Sequence, residues 1–209
     1  MTNSPARPPA DITATAFFET WLADAYASSG RQAPDDAPVV WVSLSGDGGG
    51  EWEIRLEGDR LLVAPRDVKA RGGDQPGVWI RQKAADFLAT FARDPDLPEL
   101  FPDKFGPLDL LFLDPQDVEL IKQIDGRLAL ELTGRRRRRW GLDLAAGKAG
   151  LAAGRPRATV KLDADTYEGL RNKSLPPLKA LLERKIVVDG DRALAMQALL
   201  LLGARLARS

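Results

Sequence analysis

The sequence predicts an α+β protein, antiparallel strand meanders followed by helices, its order of elements laid out twice along 209 residues. Three observations lead there. Segments rich in β-branched and aromatic residues follow one another across short glycine turns. Helical segments open on capping residues. And the order of strands followed by a helix, seen in the first half, starts again in the second.

Taken along the chain, Met1–Ala10 (MTNSPARPPA) reads as a flexible Pro-rich leader with no apolar run of the kind a secretory signal needs. In Asp11–Ser29, Phe17, Trp21, Leu22 and Tyr26 recur at helical spacing, with Thr13 or Thr15 as cap. The Pro/Asp-rich joint at Gly30–Pro38 ends that helix. Val39–Ser45, Glu51–Leu56 and Arg60–Ala64 then form an antiparallel meander across the turns Gly46–Gly50 and Gly58-Asp59. Val78–Arg81 is a further strand, and Ala84–Phe91 a helix. After a Pro-rich stretch, Leu108–Leu113 reads as a buried strand, and Asp114–Asp117 opens a helix to about Ile124, with Pro115 at its first position.

The order then repeats. Arg127–Leu132 and Trp140–Leu144 read as strands on either side of Thr133-Gly134, and Ala149–Ala153 and Arg157–Leu162 as two more. Asp165, with Glu168 three residues on, opens a helix as a capping box. Leu175–Glu183 is a second helical segment, Lys185–Val188 a short strand, and Arg192–Arg208 a long helix. Ala85–Leu88 lies opposite Asp165–Glu168, and Leu110–Asp114 opposite Lys185–Asp189, which reads as an internal duplication.

Composition narrows the chemistry. The chain contains no Cys and no His. Disulfides, thiolate nucleophiles, Ser-His-Asp triads, His-based zinc sites and haem ligation through His are all excluded. The net charge of zero hides a division. Residues 1–134 carry 13 Lys+Arg against 23 Asp+Glu, and residues 135–209 carry 17 against 7, so the halves stand at −10 and +10. Attraction between the two halves explains this, and so does an anionic partner for the basic half. The longest apolar run, Ala193–Ala204, is too short to cross a bilayer, and a cytoplasmic location is expected.

From Val118 to Leu202 the sequence resembles the sterol-carrier-protein-2 family. The resemblance rests on Ile121–Gly126 leading into a strand and on Ala158–Leu170, a strand running into an aspartate-led helix. It rests most of all on Leu175-Pro176-Pro177 through Ala180-Leu181-Leu182, then Lys185–Asp191, then Leu194-Ala195-Met196. The glycine usual before the lysine is replaced by Arg184. The resemblance implies a sheet of about five strands with helices over one face, enclosing an apolar tunnel for sterols, fatty acyl chains or other lipids. It divides the chain into the leader 1–10, a degenerate unit 11–116 and a lipid-binding unit 117–209. Ligand-facing residues would be Trp140, Leu142, Val160, Leu162, Tyr167, Leu170, Leu175, Leu178, Leu181, Leu182, Met196, Leu199 and Leu200. Ordinary core packing explains the same positions.

The function expected is therefore non-catalytic binding or transfer of an apolar ligand, with no cofactor and no metal. The alternative is a protein-interaction scaffold of the same fold with its cavity closed. Arg135, Arg136, Arg137, Arg138 and Arg139, followed by Trp140, lie at a hairpin. They read as a solvated, aggregation-resistant edge or as a contact for an anionic membrane surface. No motif for specific nucleic-acid reading accompanies them. The glycines of Gly46–Gly50 lack the Gly-Lys-Ser/Thr ending of a phosphate loop and precede a strand. Asp163 and Asp165 could form a carboxylate pair, but capping explains Asp165 more simply and places Asp163 in the turn.

Overall fold

The computed structural model describes residues 7–34, 37–66, 77–91, 94–100, 108, 124–147 and 157–197. Its frame is one sheet of eight strands: β1 (Val39–Ser45), β2 (Gly50–Glu57), β3 (Arg60–Pro65), β4 (Gly77–Lys83), β5 (Gly126–Thr133), β6 (Arg139–Ala146), β7 (Ala158–Asp163) and β8 (Val187–Gly190). They lie in the order β3-β2-β1-β4-β6-β5-β7-β8. The five strands expected from sequence are thus corrected to eight. The reason is the β4–β6 pairing, with Ile80 opposite Leu144, which joins the two halves' strands into a single ladder. The sheet is largely antiparallel, with parallel pairing only between β1 and β4 and between β5 and β7 among the described strands.

Strand direction follows from the pairings. Across β3-β2-β1-β4-β6 the directions run up, down, up, up, down. Across β4-β6-β5-β7-β8 they run up, down, up, up, down again. β4 and β6 therefore occur in both five-strand windows, each time at a different place.

Helices cover one face. Ala14–Ala16 (α1) passes through a π-helical turn at Phe17–Trp21 into Leu22–Ser29 (α2), and Ala84–Phe91 (α3) follows β4. In the second half Ala164–Arg171 (α4) follows β7, Pro177–Leu182 (α5) precedes β8, and residues 192–197 (α6) follow it. Thr13 caps α1 through Oγ1, which accepts from the Ala16 N–H at 3.1 Å. For α4 the cap is Asp163, not Asp165: the Asp163 carboxylate accepts from the Thr166 N–H at 2.7 Å. Asp163 is the last extended residue of β7, which is the geometry a cap requires, whereas Asp165 is already in the first helical turn, exposed. Leu108 is buried and helical, where a strand was expected to begin; residues 109–113 of that expected strand, the strand at Ala149–Ala153 and the helix from Asp117 lie outside the described residues.

Strand alternation sorts the two faces. Val40, Val42, Leu44, Trp52 and Ile54 meet α1–α3, while Leu128 and Val160 meet α5 and α6. The other face carries polar and aromatic side chains. There the Trp41 indole N–H donates to Glu53 at 2.9 Å and the Trp79 indole N–H to the Ser43 hydroxyl at 2.9 Å. The Arg81 guanidinium lies 3.7 Å over the Trp79 ring, and Arg127 and Asp143 form an ion pair between β5 and β6.

Candidate functional site

On the helix face the two halves are built differently. The first half is filled by rings. Phe18 stacks on Trp52 at 4.4 Å and on Phe87 at 5.1 Å, and Phe17 meets Phe87 edge-on at 5.1 Å and stacks on Phe91 at 5.4 Å. Such pairs add about 1 kcal/mol each beyond area burial. Tyr26 closes the end, its hydroxyl donating to the Gly58 carbonyl at 2.8 Å. Of the large side chains sealed completely among the described residues, Val160 alone comes from the second half.

The second half is aliphatic and less completely sealed. Leu128, Ala158, Val160, Ala180, Ile186, Leu194 and Ala195 form a buried cluster, with Leu162, Leu170, Leu175 and Leu181 packed against it and only partly buried. A neighbouring cluster joins Trp140, Leu132 and Leu100, with Leu142, Leu162 and Tyr167 against it. Of the residues expected to face a ligand, Trp140, Leu142, Val160, Leu162, Tyr167, Leu170, Leu175 and Leu181 are thus brought together in two adjoining clusters that share Leu130 and Leu162. Leu178 and Leu182, expected beside them, are 69% and 77% exposed, because α5 buries only Ala180 and presents this i, i+4 pair outward. Met196 is 40% exposed, and Leu199 and Leu200 lie outside the described residues. Leu128, Leu130, Ile186 and Leu194 belong to the same inner layer and were not expected there. The alternation in Arg127–Leu132 was the signal that could have found the first two.

Glycine closes this layer at two points. A side chain on Gly126 would meet Leu194 at 2.7 Å, so the absence of a Cβ lets α6 settle on the start of β5. Gly190 has φ +88°, and a Cβ there would strike the Arg157 carbonyl. Asp191 then caps α6, accepting from the Leu194 N–H at 3.1 Å while pairing with Arg157 at 3.0 Å. Arg184, standing where the resembling family has glycine, keeps the left-handed turn at φ +56°. A non-glycine residue there costs about 1–2 kcal/mol of backbone strain.

Polar groups frame the site. Tyr167 donates its hydroxyl proton to the Leu100 carbonyl. Burial pushes that hydroxyl up to about 12; Glu99 works in the same direction and Arg171 against it. Arg171 in turn pairs with Glu99 at 2.6 Å. Of the five hairpin arginines, Arg138 turns inward to the buried Asp86 at 2.7 Å and to Asp94 at 3.3 Å. Burial opposes the Arg138 charge, but the two carboxylates outweigh it and raise the guanidinium above its ordinary value. Asp86 also accepts from the Gly141 N–H at 3.2 Å, and the Trp140 indole donates to the Asp86 carbonyl at 3.0 Å. Arg136 lies 3.8 Å from Asp96. The hairpin of the basic half thus pairs with carboxylates of the acidic half. Arg135, Arg137 and Arg139 remain exposed.

Asp163 and Asp165 make no catalytic arrangement: the first is occupied as the α4 cap and the second faces solvent. Among the described residues there is no grouping of His, Cys, Asp or Glu that would hold a metal ion. No described helix is long and apolar enough to cross a membrane.

No curated protein matches the chain. Among solved structures, the chain is similar to sterol carrier protein 2 like 2 from Aedes aegypti, with 21% identity over 40% of this chain and 90% of that one, at a TM-score of 0.28. It is similar to sterol carrier protein domain 2 of Helicoverpa armigera, with 20% identity over 44% and 76%, at 0.33. It is also similar to apo sterol carrier protein 2 from Yarrowia lipolytica, with 20% identity over 44% and 77%, at 0.32. The family match starts at Leu108, upstream of the Val118 from which the resemblance was read, and takes in β5–β8 with their helices: residues 108–202 of this chain match the SCP-2 sterol transfer family.

Proposed function

We propose that the second half of the chain binds an apolar ligand, a sterol, fatty acid or other lipid, between its sheet and its helices, without covalent chemistry. The observation that carries this reading is the layer of partly buried leucines, Leu162, Leu170, Leu175 and Leu181, on the inner face of a half that matches a sterol-transfer family. Aliphatic side chains with residual exposure can exchange contact with one another for contact with a ligand at small cost. Stacked and edge-on rings, held by one another, part less readily than branched aliphatic chains. Tyr167 and Trp140 would border the ligand on the side of the first half, each with its polar atom already held by a backbone carbonyl, so neither needs a polar group from the ligand. Capture of a lipid by such a layer is driven by apolar area removed from water, at about 25 cal/mol per Å².

The first half, in this reading, is a diverged copy that has lost its ligand space to Phe17, Phe18, Trp52 and Phe87. The repeated order of strand directions and the matching positions of α3 after β4 and α4 after β7 support a duplication in which each copy is completed by a strand of the other. Native mass spectrometry of protein purified without detergent, followed by organic extraction, tests the proposal. A defined adduct that extracts as a lipid is expected. A clean unliganded mass that also takes up neither fatty acid nor sterol would leave a scaffold with a closed interior.

A further inference from the structure

The aliphatic layer of the second half runs along its strands. Leu128, Leu130 and Leu132 follow one another on the inner side of β5, paired with Ala158, Val160 and Leu162 of β7. The row on β5 spans about 13 Å at the rise of an extended chain. At the Leu128 end the layer is packed by Ala180 of α5 and by Leu194 and Ala195 of α6. At the Leu132 end it is met by Leu97 and Leu100. These two leucines come from the first half and precede the span, 108–202, that matches the sterol-transfer family.

Residues 94–100 cross that end as a strap, fastened by polar groups on both sides. Toward the hairpin, Asp94 pairs with Arg138 at 3.3 Å, and the Asp96 carbonyl accepts from the Arg135 N–H at 2.7 Å. Gly134 permits this approach, since a Cβ there would strike the Asp96 carbonyl. Toward α4, Glu99 pairs with Arg171 at 2.6 Å, and the Leu100 carbonyl accepts the Tyr167 hydroxyl proton. Between these fastenings Pro98 is buried, and Leu100 is buried in a cluster with Leu132 and Trp140.

We infer that this strap is the end wall of the ligand layer, and that Leu100, with Leu97, sets how long an acyl chain the second half accepts. A wall needs an apolar side chain turned inward and a backbone that does not yield, and the strap has both. A chain that only joined the halves would need neither a buried leucine in this layer nor a second fastening on α4. The inference rests on the proposed lipid binding and deepens it. The ligand class it points to is a linear acyl chain, and residues of the first half measure its length.

The test measures the affinity of the full chain for saturated fatty acids of increasing length, by displacement of a fluorescent acyl probe, with thermal unfolding of the same proteins. Wild-type protein should show an optimum of chain length. Leu100→Ala should move that optimum up by about two carbons, each newly buried methylene being worth about fourfold in affinity. Leu100→Phe should move it down. Gly134→Ala pushes the strap off the hairpin, and the longest acids should gain about fourfold or more. Should Leu100→Ala fail to fold, Leu97→Ala, at a partly buried position, and Gly134→Ala carry the test. A residue that only stabilised the fold would, when replaced, lower affinity for every length alike and leave the optimum in place. That result in the folded variants, or a wild type with no optimum, would overturn the inference while the proposed binding stands. Uptake of no fatty acid by any of these proteins would remove both together.

Discussion

The two halves share a sheet and a sequence of strand directions, yet they use the space beneath their helices in opposite ways. In the first, the π-helical turn and α3 bring Phe17, Phe18, Trp21, Phe87 and Phe91 together, Phe18 stacks on Trp52, and rings fill the layer between helix and strand. In the second, the equivalent layer is leucine, isoleucine, valine and alanine, and partly buried apolar side chains border both layers. If the proposed binding holds, backbone topology alone does not decide whether such a fold takes a ligand. The volume and shape of the side chains on a few inward positions do. A ring stacked at 4.4 Å on another leaves no room for an acyl chain, whereas a row of leucines can part around one.

The contrast can be broken by substitution. Phe18→Ala, in the sealed layer, should cost about 4 kcal/mol of stability in urea unfolding, whereas Leu170→Ala, on the partly open layer, should cost about 2 kcal/mol and be offset by added fatty acid. Equal costs, or no ligand effect on Leu170→Ala, would erase the distinction between the halves. The junction is tested next. Asp86→Ala leaves Arg138 with Asp94 as its remaining carboxylate and removes the acceptor of the Gly141 N–H, and should cost about 2 kcal/mol. A single unfolding transition that becomes two would show that this pair couples the halves.

The border of the aliphatic layer has a pH signature. The Tyr167 hydroxyl has its folded value raised to about 12 against an ordinary value of about 10. Its contribution is thus fully present below about pH 10 and is lost as pH rises to about 12, about 3 kcal/mol in all. Tyr167→Phe should flatten that part of the stability curve while lowering neutral-pH stability by about 1 kcal/mol through the lost hydrogen bond. A curve of unchanged slope would place the alkaline loss elsewhere. The smallest effect concerns the α4 cap: Asp163→Ala should cost about 1 kcal/mol and Asp165→Ala less than about 0.5 kcal/mol, read from chemical unfolding.

Much of this architecture was legible in sequence. The turn at Gly46–Gly50 and the alternation in Glu51–Leu56 placed β1 and β2 within a residue or so, and α3 was read as Ala84–Phe91, the span it occupies. These are local signals of turn chemistry and period. What was not legible depends on distant residues. The pairing of β4 with β6 turns a sheet of about five strands into one of eight, and no window of sequence contains both strands. The cap at Asp163 rather than Asp165 depends on where β7 stops, which its pairing with β5 determines through the register of Thr133 with Asp163. Leu178 and Leu182 carry the apolar character of core residues, and only the short span of α5 around Ala180 turns them outward. Arg138 is one arginine of five in sequence. The carboxylate of Asp86, from the other half of the chain, singles it out.

The central claim is that the aliphatic half takes the ligand and the aromatic half does not. Photo-crosslinking with a fatty acid carrying a diazirine on its chain, followed by peptide mapping, addresses it most directly. The account predicts label on the inner layer of the second half, at Leu162, Leu170, Leu175 or Leu181, that excess unlabelled fatty acid suppresses. Competed label concentrated around Phe17, Phe18 and Trp52 would contradict it.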